Sequence, residues 1–237
     1  INGGSLRNAI PRESVAIISI DSVATEAFLL ETGLLIDSIK EEFASIETNL
    51  VIAIEKTTLP EKVMEIGVQE GLTKSIYAAL NGVYRMTPDI ADLVETSNNI
   101  ARVIVKNGKI EIGCLTRSSS ETNKMDLANS LKSAFELSSF DVKLSADYPG
   151  WQPNVTSEIL DIVANLYDRL HGEKALVAAC HAGLECGLLG QNYPEMDMVS
   201  FGPTIRGAHS PDERASISST QKFWKFLIEI LKNIPSK

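Results

Sequence analysis

Histidine and cysteine are the side chains of this chain of 237 residues best suited to binding a metal or attacking a substrate. His209 lies in a stretch punctuated by glycine and proline, shortly before Asp212 and Glu213. A neutral imidazole oriented by a nearby carboxylate is a common zinc-ligand arrangement. The alternative is a turn or helix start at Ser210, because Ser-Pro-Asp-Glu also fits a capping box. The residues alone leave both interpretations open.

The other histidines and cysteines give weaker signals. His171 precedes Gly172 at the end of an amphipathic pattern, which favours a helix C-terminus. His181 follows a buried-strand pattern, where ligands gather in open α/β sheets, and both a binding and a structural role are compatible with it. Cys180 and Cys186 lack a second cysteine pair, which argues against a structural zinc site. The chain contains neither His-x-Asp nor His-x-x-x-His, so it does not obviously build a two-metal hydrolytic centre by itself.

Composition argues against two classes of partner. Lys and Arg number 22 against 31 Asp and Glu, and this net charge of −9 is unfavourable for binding nucleic acid or an anionic membrane. No apolar run reaches the roughly 18–20 residues of a membrane span. Three cysteines make no disulfide framework and favour a reducing, cytoplasmic location. Because the chain opens on Ile1 without a methionine, we expect it to be part of a longer protein.

The elements that must position these side chains indicate an α/β fold. Asn107-Gly108 is the strongest hairpin signal, because a two-residue turn needs positive φ at both positions. This turn pairs 106 with 109, places Arg117 on the polar face and puts Asn98 opposite it. Beyond the turn we predict helices over 123–137 and 155–170 and a last helix with a capping box at Ser218. Short strands are predicted over 14–20, 50–54, 142–144, 175–179 and 196–201.

A change of composition marks a domain junction. Residues 147–153 contain two prolines, one glycine and two aromatic residues, which predicts a boundary or an ordered crossover.

Several long motifs occur together along the chain. They lie at 2–13, 81–83, 94–97, 148–153, 181–187, 193–200, 202–204 and 209–213. These stretches closely resemble the bacterial aminoacyl-histidine dipeptidases, also called Xaa-His dipeptidases or peptidase D, which are carnosinase-like two-zinc metallopeptidases. The resemblance runs over essentially the whole chain.

The resemblance implies how the chain is organised. Residues 1–146 would be the later part of an α+β lid with an antiparallel sheet, which in related enzymes mediates dimers. Residues 147–237 would be the C-terminal segment of a split α/β catalytic domain. The family's remaining zinc ligands and its general base would precede Ile1, so we expect no catalytic residue in this chain.

The resemblance also implies individual roles. His209 would be the last ligand of a centre that holds two zinc ions per complete subunit. Asn8 and Arg117 would contact the substrate from the lid, with Arg117 binding its terminal carboxylate, and Gly183 would line the pocket. The complete enzyme would be a cytoplasmic homodimer that hydrolyses dipeptides such as carnosine through a metal-activated water. The alternatives are a catalytically silent lid and dimerisation fragment, or a related metallocarboxypeptidase or amidohydrolase.

Overall fold

The computed structural model describes residues 1–88, 90–154, 156–179, 184–208 and 212–234. Groups of helices and groups of antiparallel strands follow one another along it, which confirms the mixed α/β class. The strands are β1 (Asn2–Gly4), β2 (Ser14–Val15), β3 (Gly82–Met86), β4 (Val94–Lys106), β5 (Lys109–Ser118), β6 (Ile205–Arg206) and β7 (Arg214–Ala215). The helices are α1 (Thr25–Phe43), α2 (Ile66–Ala78), α3 (Glu121–Glu136), α4 (Glu158–His171), α5 (Glu185–Asn192) and α6 (Ile217–Lys232).

The chain divides into two compact units. The first comprises residues 1–76 and 100–114, and the second comprises residues 77–99 and 115–237. β4 and β5 contribute residues to both units.

The first unit is built on the pairing of β1 with β2 and with the second half of β4, both antiparallel. Gly4 ends β1 with a φ of +70°, and a Cβ at this position would lie 1.9 Å from the carbonyl oxygen of Ala101. Only glycine allows so close an approach of the two backbones. In this unit α1 buries none of its 19 residues.

The hairpin turn is confirmed. Asn107 and Gly108 have φ values of 54° and 72°, as a two-residue turn of the primed type requires. The strands end and begin at the predicted residues, Lys106 and Lys109.

The predicted register of this hairpin holds near the turn and is wrong further away. A Cβ at Gly113 would lie 3.6 Å from the Cβ of Arg102, as predicted. Further along, however, the Thr116 hydroxyl donates to Asn98 Oδ1 at 3.2 Å, so Asn98 lies beside Thr116 and not opposite Arg117. The pairing therefore shifts by one residue through an extra residue in β4, a β-bulge. Arg117 keeps its face, because β5 alternates regularly.

The core of the second unit includes a contact between α4 and α6. The buried residues of this cluster are Val163, Leu166, Phe226 and Ile230. His171 ends α4, and Gly172 follows in the left-handed conformation with its N–H donating to the carbonyl of Asp168. The helix C-terminus predicted for His171 is confirmed.

Several predicted strands do not form. The segments 50–54, 142–144, 175–179 and 196–201 pair with no strand among the described residues, and the strand predicted over 14–20 shortens to Ser14–Val15. β-Rich sequence becomes a strand only when a partner accepts its backbone hydrogen bonds. The predicted cap of α6 is also wrong, because the N-cap residue is Ser216, whose hydroxyl accepts from the backbone N–H of Ser219. None of the helices within the described ranges has the length and apolar character needed to cross a membrane.

Candidate functional site

Arg117 lies one residue before the end of β5, with an exposed side chain. The neighbouring Ser118 points to the opposite face and is buried. Among the residues that the structure describes, Arg117 forms no ion pair, whereas Arg85 and Arg102 pair with Glu95 and Glu111. Its guanidinium is therefore available to an anionic ligand, and its planar fork suits a carboxylate.

Hydrogen bonds fix the strand end that carries Arg117. The hydroxyls of Ser118 and Thr96 are 2.8 Å apart, and the N–H of Ser120 donates to Ser118 Oγ at 3.0 Å. The N–H of Ser119 donates to the carbonyl of Glu95 at 3.1 Å. The backbone on the C-terminal side of Arg117 is thereby held to β4.

A polar cluster surrounds the buried carboxylate of Glu95, which belongs to the 94–97 motif. Glu95 Oε1 accepts from Asn123 Nδ2 at 2.7 Å and lies 3.3 Å from Arg85 Nε. Glu95 also lines a cavity of about 200 Å³. The cavity is lined by Arg85, Thr87, Pro88, Glu95, Ser119, Ser120, Gln152 and Pro153. Glu95 thus joins β3, β4 and α3, a role that its motif alone does not reveal.

Lys124, in the first turns of α3, is a buried cation that sequence reasoning did not single out. Its Nζ is 2.8 Å from Glu121 Oε1 and 2.7 Å from Asp147 Oδ1, and it donates to the carbonyl of Tyr148 at 2.9 Å. Burial disfavours its charge, but the hydrogen bonds to Asp147 and Glu121 outweigh burial and raise the pKa of Lys124. An Asp and a Lys separated by 23 residues give no local sequence signal for this contact.

Asp197, within the 193–200 motif, serves as a helix cap. Its carboxylate accepts from the Ser157 hydroxyl at 2.9 Å and from the backbone N–H of Ile159 at 3.1 Å, at the start of α4. Asn154 Nδ2 donates to the same carboxylate at 3.2 Å. The Ile159 N–H, supported by Ser157 and Asn154, lowers the pKa of Asp197. Asp197 therefore completes the first turn of a helix that lies about 40 residues earlier in the chain.

Asn8 lies in a turn that follows β1. The N–H of Ala9 donates to the carbonyl of Leu6 at 3.1 Å, and the Asn8 side chain between them is exposed. An exposed amide in a turn can offer both a donor and an acceptor to a ligand. Its assignment to the substrate stays a prediction.

Gly183 and His209, the other two predicted site residues, lie outside the described residues, as do Cys180 and His181. Within the described ranges, no group of three or more His, Cys, Asp or Glu side chains could hold a metal ion. The predicted zinc ligand and the predicted pocket glycine therefore stay predictions.

Comparison with known proteins shows what the chain is similar to. The family described as "Peptidase family M20/M25/M40" matches residues 27–233. The cytosol non-specific dipeptidase of Escherichia coli (strain K12) is 37% identical over 236 residues, which are 100% of this chain and 49% of that protein.

Two solved structures have folds similar to the fold of this chain. Aminoacylhistidine dipeptidase from Vibrio alginolyticus matches with a TM-score of 0.90 and 37% identity, over 100% of this chain and 48% of that one. Aminopeptidase PepT from Bacillus cereus ATCC 10987 matches with a TM-score of 0.54 and 15% identity, over 69% of this chain and 44% of that one, and shares the fold alone. This chain thus spans about half the length of the relatives it matches. With a family match over most of its residues and a close relative along its full length, the chain belongs to peptidase family M20/M25/M40.

Proposed function

We propose that this chain forms the later part of the lid, over residues 1–146, and the C-terminal catalytic segment, over residues 147–237, of a cytoplasmic dipeptidase. The similarity to an aminoacylhistidine dipeptidase over 100% of the chain, with a TM-score of 0.90, is the observation that carries the proposal. The complete protein would hydrolyse Xaa-His dipeptides such as carnosine.

In this proposal Arg117 binds the terminal carboxylate of the dipeptide. Its exposed side chain and its lack of an ion pair among the described residues support this role. A bidentate guanidinium fixes the orientation of a carboxylate as well as its charge. Asn8 would contribute hydrogen bonds from the lid, and Gly183 would leave room for the substrate beside its backbone.

The described residues do not by themselves fit a two-zinc centre, since no group of three candidate ligands occurs among them. We propose that His209 supplies one neutral nitrogen ligand, because imidazole is a preferred ligand of zinc. The other ligands and the general base would come from the part of the relatives that this chain does not span.

Metal analysis of the complete protein tests the proposal. We expect His209→Ala to lower the bound zinc and the hydrolysis of carnosine together, because one ligand is lost. His171→Ala is a matched control, since His171 ends α4 and packs its ring 4.5 Å from that of Tyr167. Unchanged zinc content in His209→Ala would remove His209 from the metal site, and absence of dipeptide hydrolysis by the wild type would reject the function.

The face of α1 supports a homodimer formed through the lid. Several of its apolar side chains are exposed, including Leu30 at 68% and Leu34 at 65%. A helix whose apolar side chains are left exposed is typical of an interaction surface. A monomeric mass of the complete protein in solution would contradict this part of the proposal.

A further inference from the structure

The buried ammonium of Lys124 holds the segment 147–150 against the end of β5. The three N–H groups of this ammonium match three acceptors, namely Glu121 Oε1, Asp147 Oδ1 and the carbonyl of Tyr148. The Lys124 side chain is only 8% exposed. One side chain of α3 therefore ties down two consecutive residues of a segment that comes more than 20 residues later.

Glu121 connects Lys124 to Gly150 as well. Its Oε1 accepts from Lys124 and also from the backbone N–H of Gly150, at 3.1 Å. A Cβ at Gly150 would lie 2.3 Å from the carbonyl oxygen of Ser118 and 2.8 Å from Ser119. The backbone at Gly150 is thus in direct contact with the two residues that follow Arg117.

The segment is enclosed from its other side as well. A Cβ at Gly187, in α5, would lie 2.6 Å from the carbonyl oxygen of Pro149, and Pro149 itself is buried. Residues 149 and 150 are therefore packed between α5 and the end of β5. A displacement of this segment toward β5 would therefore push against the backbone of Ser118 and Ser119.

We propose that Lys124 is a positioning residue for Arg117: through Glu121, Asp147 and the 147–150 segment, it fixes the strand end that presents the guanidinium to the substrate carboxylate. This inference rests on the proposed function of Arg117. A misplacement of about 1 Å in a binding group costs up to 100-fold in rate, so a side chain that only fixes the backbone can control activity.

The test compares Lys124→Met with Lys132→Met in the complete protein. Lys132 is on the same helix and forms an exposed pair with Glu136 at 3.6 Å, so it is a matched control. For each protein, kcat/KM is measured with a free-acid dipeptide and with its C-terminal amide. The ratio of the two values reports the contact with the carboxylate. Hydrogen exchange of the Gly150 amide reports whether the segment is still held.

We expect Lys124→Met to reduce the acid-to-amide ratio by roughly tenfold, mainly through KM, with unchanged zinc content. The Gly150 amide should exchange faster in Lys124→Met. Lys132→Met should change neither the acid-to-amide ratio nor the exchange rate of this amide. Asp147→Asn removes one charged partner at a site that is 71% exposed, and it replaces Lys124→Met if that variant does not fold. Asp147→Asn should also lower the acid-to-amide ratio and speed up exchange of the Gly150 amide, each by a smaller factor than Lys124→Met.

The outcomes separate this inference from the proposed function. If Arg117→Ala leaves the acid-to-amide ratio of the wild type unchanged, then Arg117 does not bind the carboxylate, and the proposed function of Arg117 fails. If that ratio depends on Arg117 but stays at the wild-type value in Lys124→Met or Asp147→Asn, the positioning role is overturned. Unaltered exchange at Gly150 in these variants would overturn it too.

Discussion

At the scale of single residues, Arg117 is the side chain whose proposed role has two independent supports. The alternation of β5 puts it on the face opposite the buried Ser118, and the structure leaves it exposed. The resemblance to the dipeptidases assigns it to the terminal carboxylate. A charge that forms no ion pair with any residue the structure describes can be used for a ligand.

Substitution of Arg117 tests this use of the charge in the complete protein. Arg117→Lys keeps the charge and loses the two-pronged geometry, so we expect kcat/KM for a free-acid dipeptide to fall by roughly 10- to 100-fold. For Arg117→Ala, kcat/KM with the free-acid dipeptide should fall further. The loss should shrink sharply for the amidated dipeptide, because that substrate never formed the contact. Equal losses with both substrates would show that the carboxylate is held elsewhere.

Asp197 predicts a dependence of stability on pH. Its pKa in the fold is below the ordinary value of 3.8, because the Ile159 N–H and the side chains of Ser157 and Asn154 stabilise the carboxylate. A lowered pKa means that the carboxylate stabilises the fold above pH 3.8, and this contribution disappears as the pH falls through the folded pKa.

Unfolding of Asp197→Asn checks this dependence. We expect the variant to be less stable at neutral pH by roughly 1 kcal/mol, as for the loss of a helix cap. The difference from the wild type should stay constant down to about pH 5 and should narrow as the pH falls through 3.8 and below. Glu195→Gln, two residues away and exposed, is the control and should leave stability nearly unchanged. A difference that persists undiminished at pH 2 would contradict the role of the charge.

At the scale of elements, Gly4 shows why the motif at 2–13 contains a glycine at its third position. Its positive φ and its contact with the Ala101 carbonyl join β1 to β4, and the chain then leads directly to the turn that carries Asn8. A motif glycine next to a predicted substrate residue can therefore be required for the fold alone.

Gly4→Ala should loosen this pairing strongly. Its Cβ would lie 1.9 Å from a backbone oxygen, so we expect the free energy of opening between β1 and β4 to fall by roughly 2–4 kcal/mol. Hydrogen exchange of the Val105 amide, which donates to the carbonyl of Ile1 at 2.8 Å, measures this opening. Gly33→Ala in α1 is the control, since its Cβ would meet nothing within 4 Å and alanine favours a helix. Slow exchange at Val105 in Gly4→Ala would contradict the close approach.

Elements with local signals were predictable from sequence, and those set by distant partners were not. The Asn107-Gly108 turn fixes both hairpin strands and the face of Arg117. The bulge lies between Arg102 and Asn98, and Asn98 is a buried amide that donates to the carbonyl of Leu80 at 2.7 Å and accepts from Thr116. A buried polar side chain must satisfy its hydrogen bonds, and both partners of Asn98 lie 18 residues away along the chain, where no local signal announces them.

The beginning of α6 is a second feature that local sequence signals did not predict. Ser216 and Ser218 are both suitable caps by residue type, and tertiary contacts decide between them. The N–H of Ser216 donates to the carbonyl of Thr204 at 3.0 Å, and β7 ends at Ala215. The backbone is thus already fixed one residue before the helix, and Ser216 takes the cap position. Periodicity finds the helix but not its first residue.

At the scale of the whole molecule, the distribution of the candidate groups predicts what the 237-residue chain can do alone. In the proposed function, Arg117 and Asn8 would each contact the substrate, and His209 would supply one nitrogen ligand. The described residues hold no group of three candidate metal ligands. A hydrolytic two-metal centre needs several ligands and a positioned base. Binding groups without this centre give recognition without turnover.

We therefore expect the isolated chain to hydrolyse neither carnosine nor Gly-His, whatever zinc concentration is supplied. The complete protein, assayed under the same conditions, should hydrolyse both and should lose activity with a chelator. Retention of a labelled dipeptide by the isolated chain, weakened by Arg117→Ala, would show that the binding part of the site survives alone. Turnover by the isolated chain that a chelator abolishes would instead mean that this half holds a metal centre of its own. The expectation that this chain only binds substrate, while the rest of the complete protein supplies the metal centre, would then be wrong.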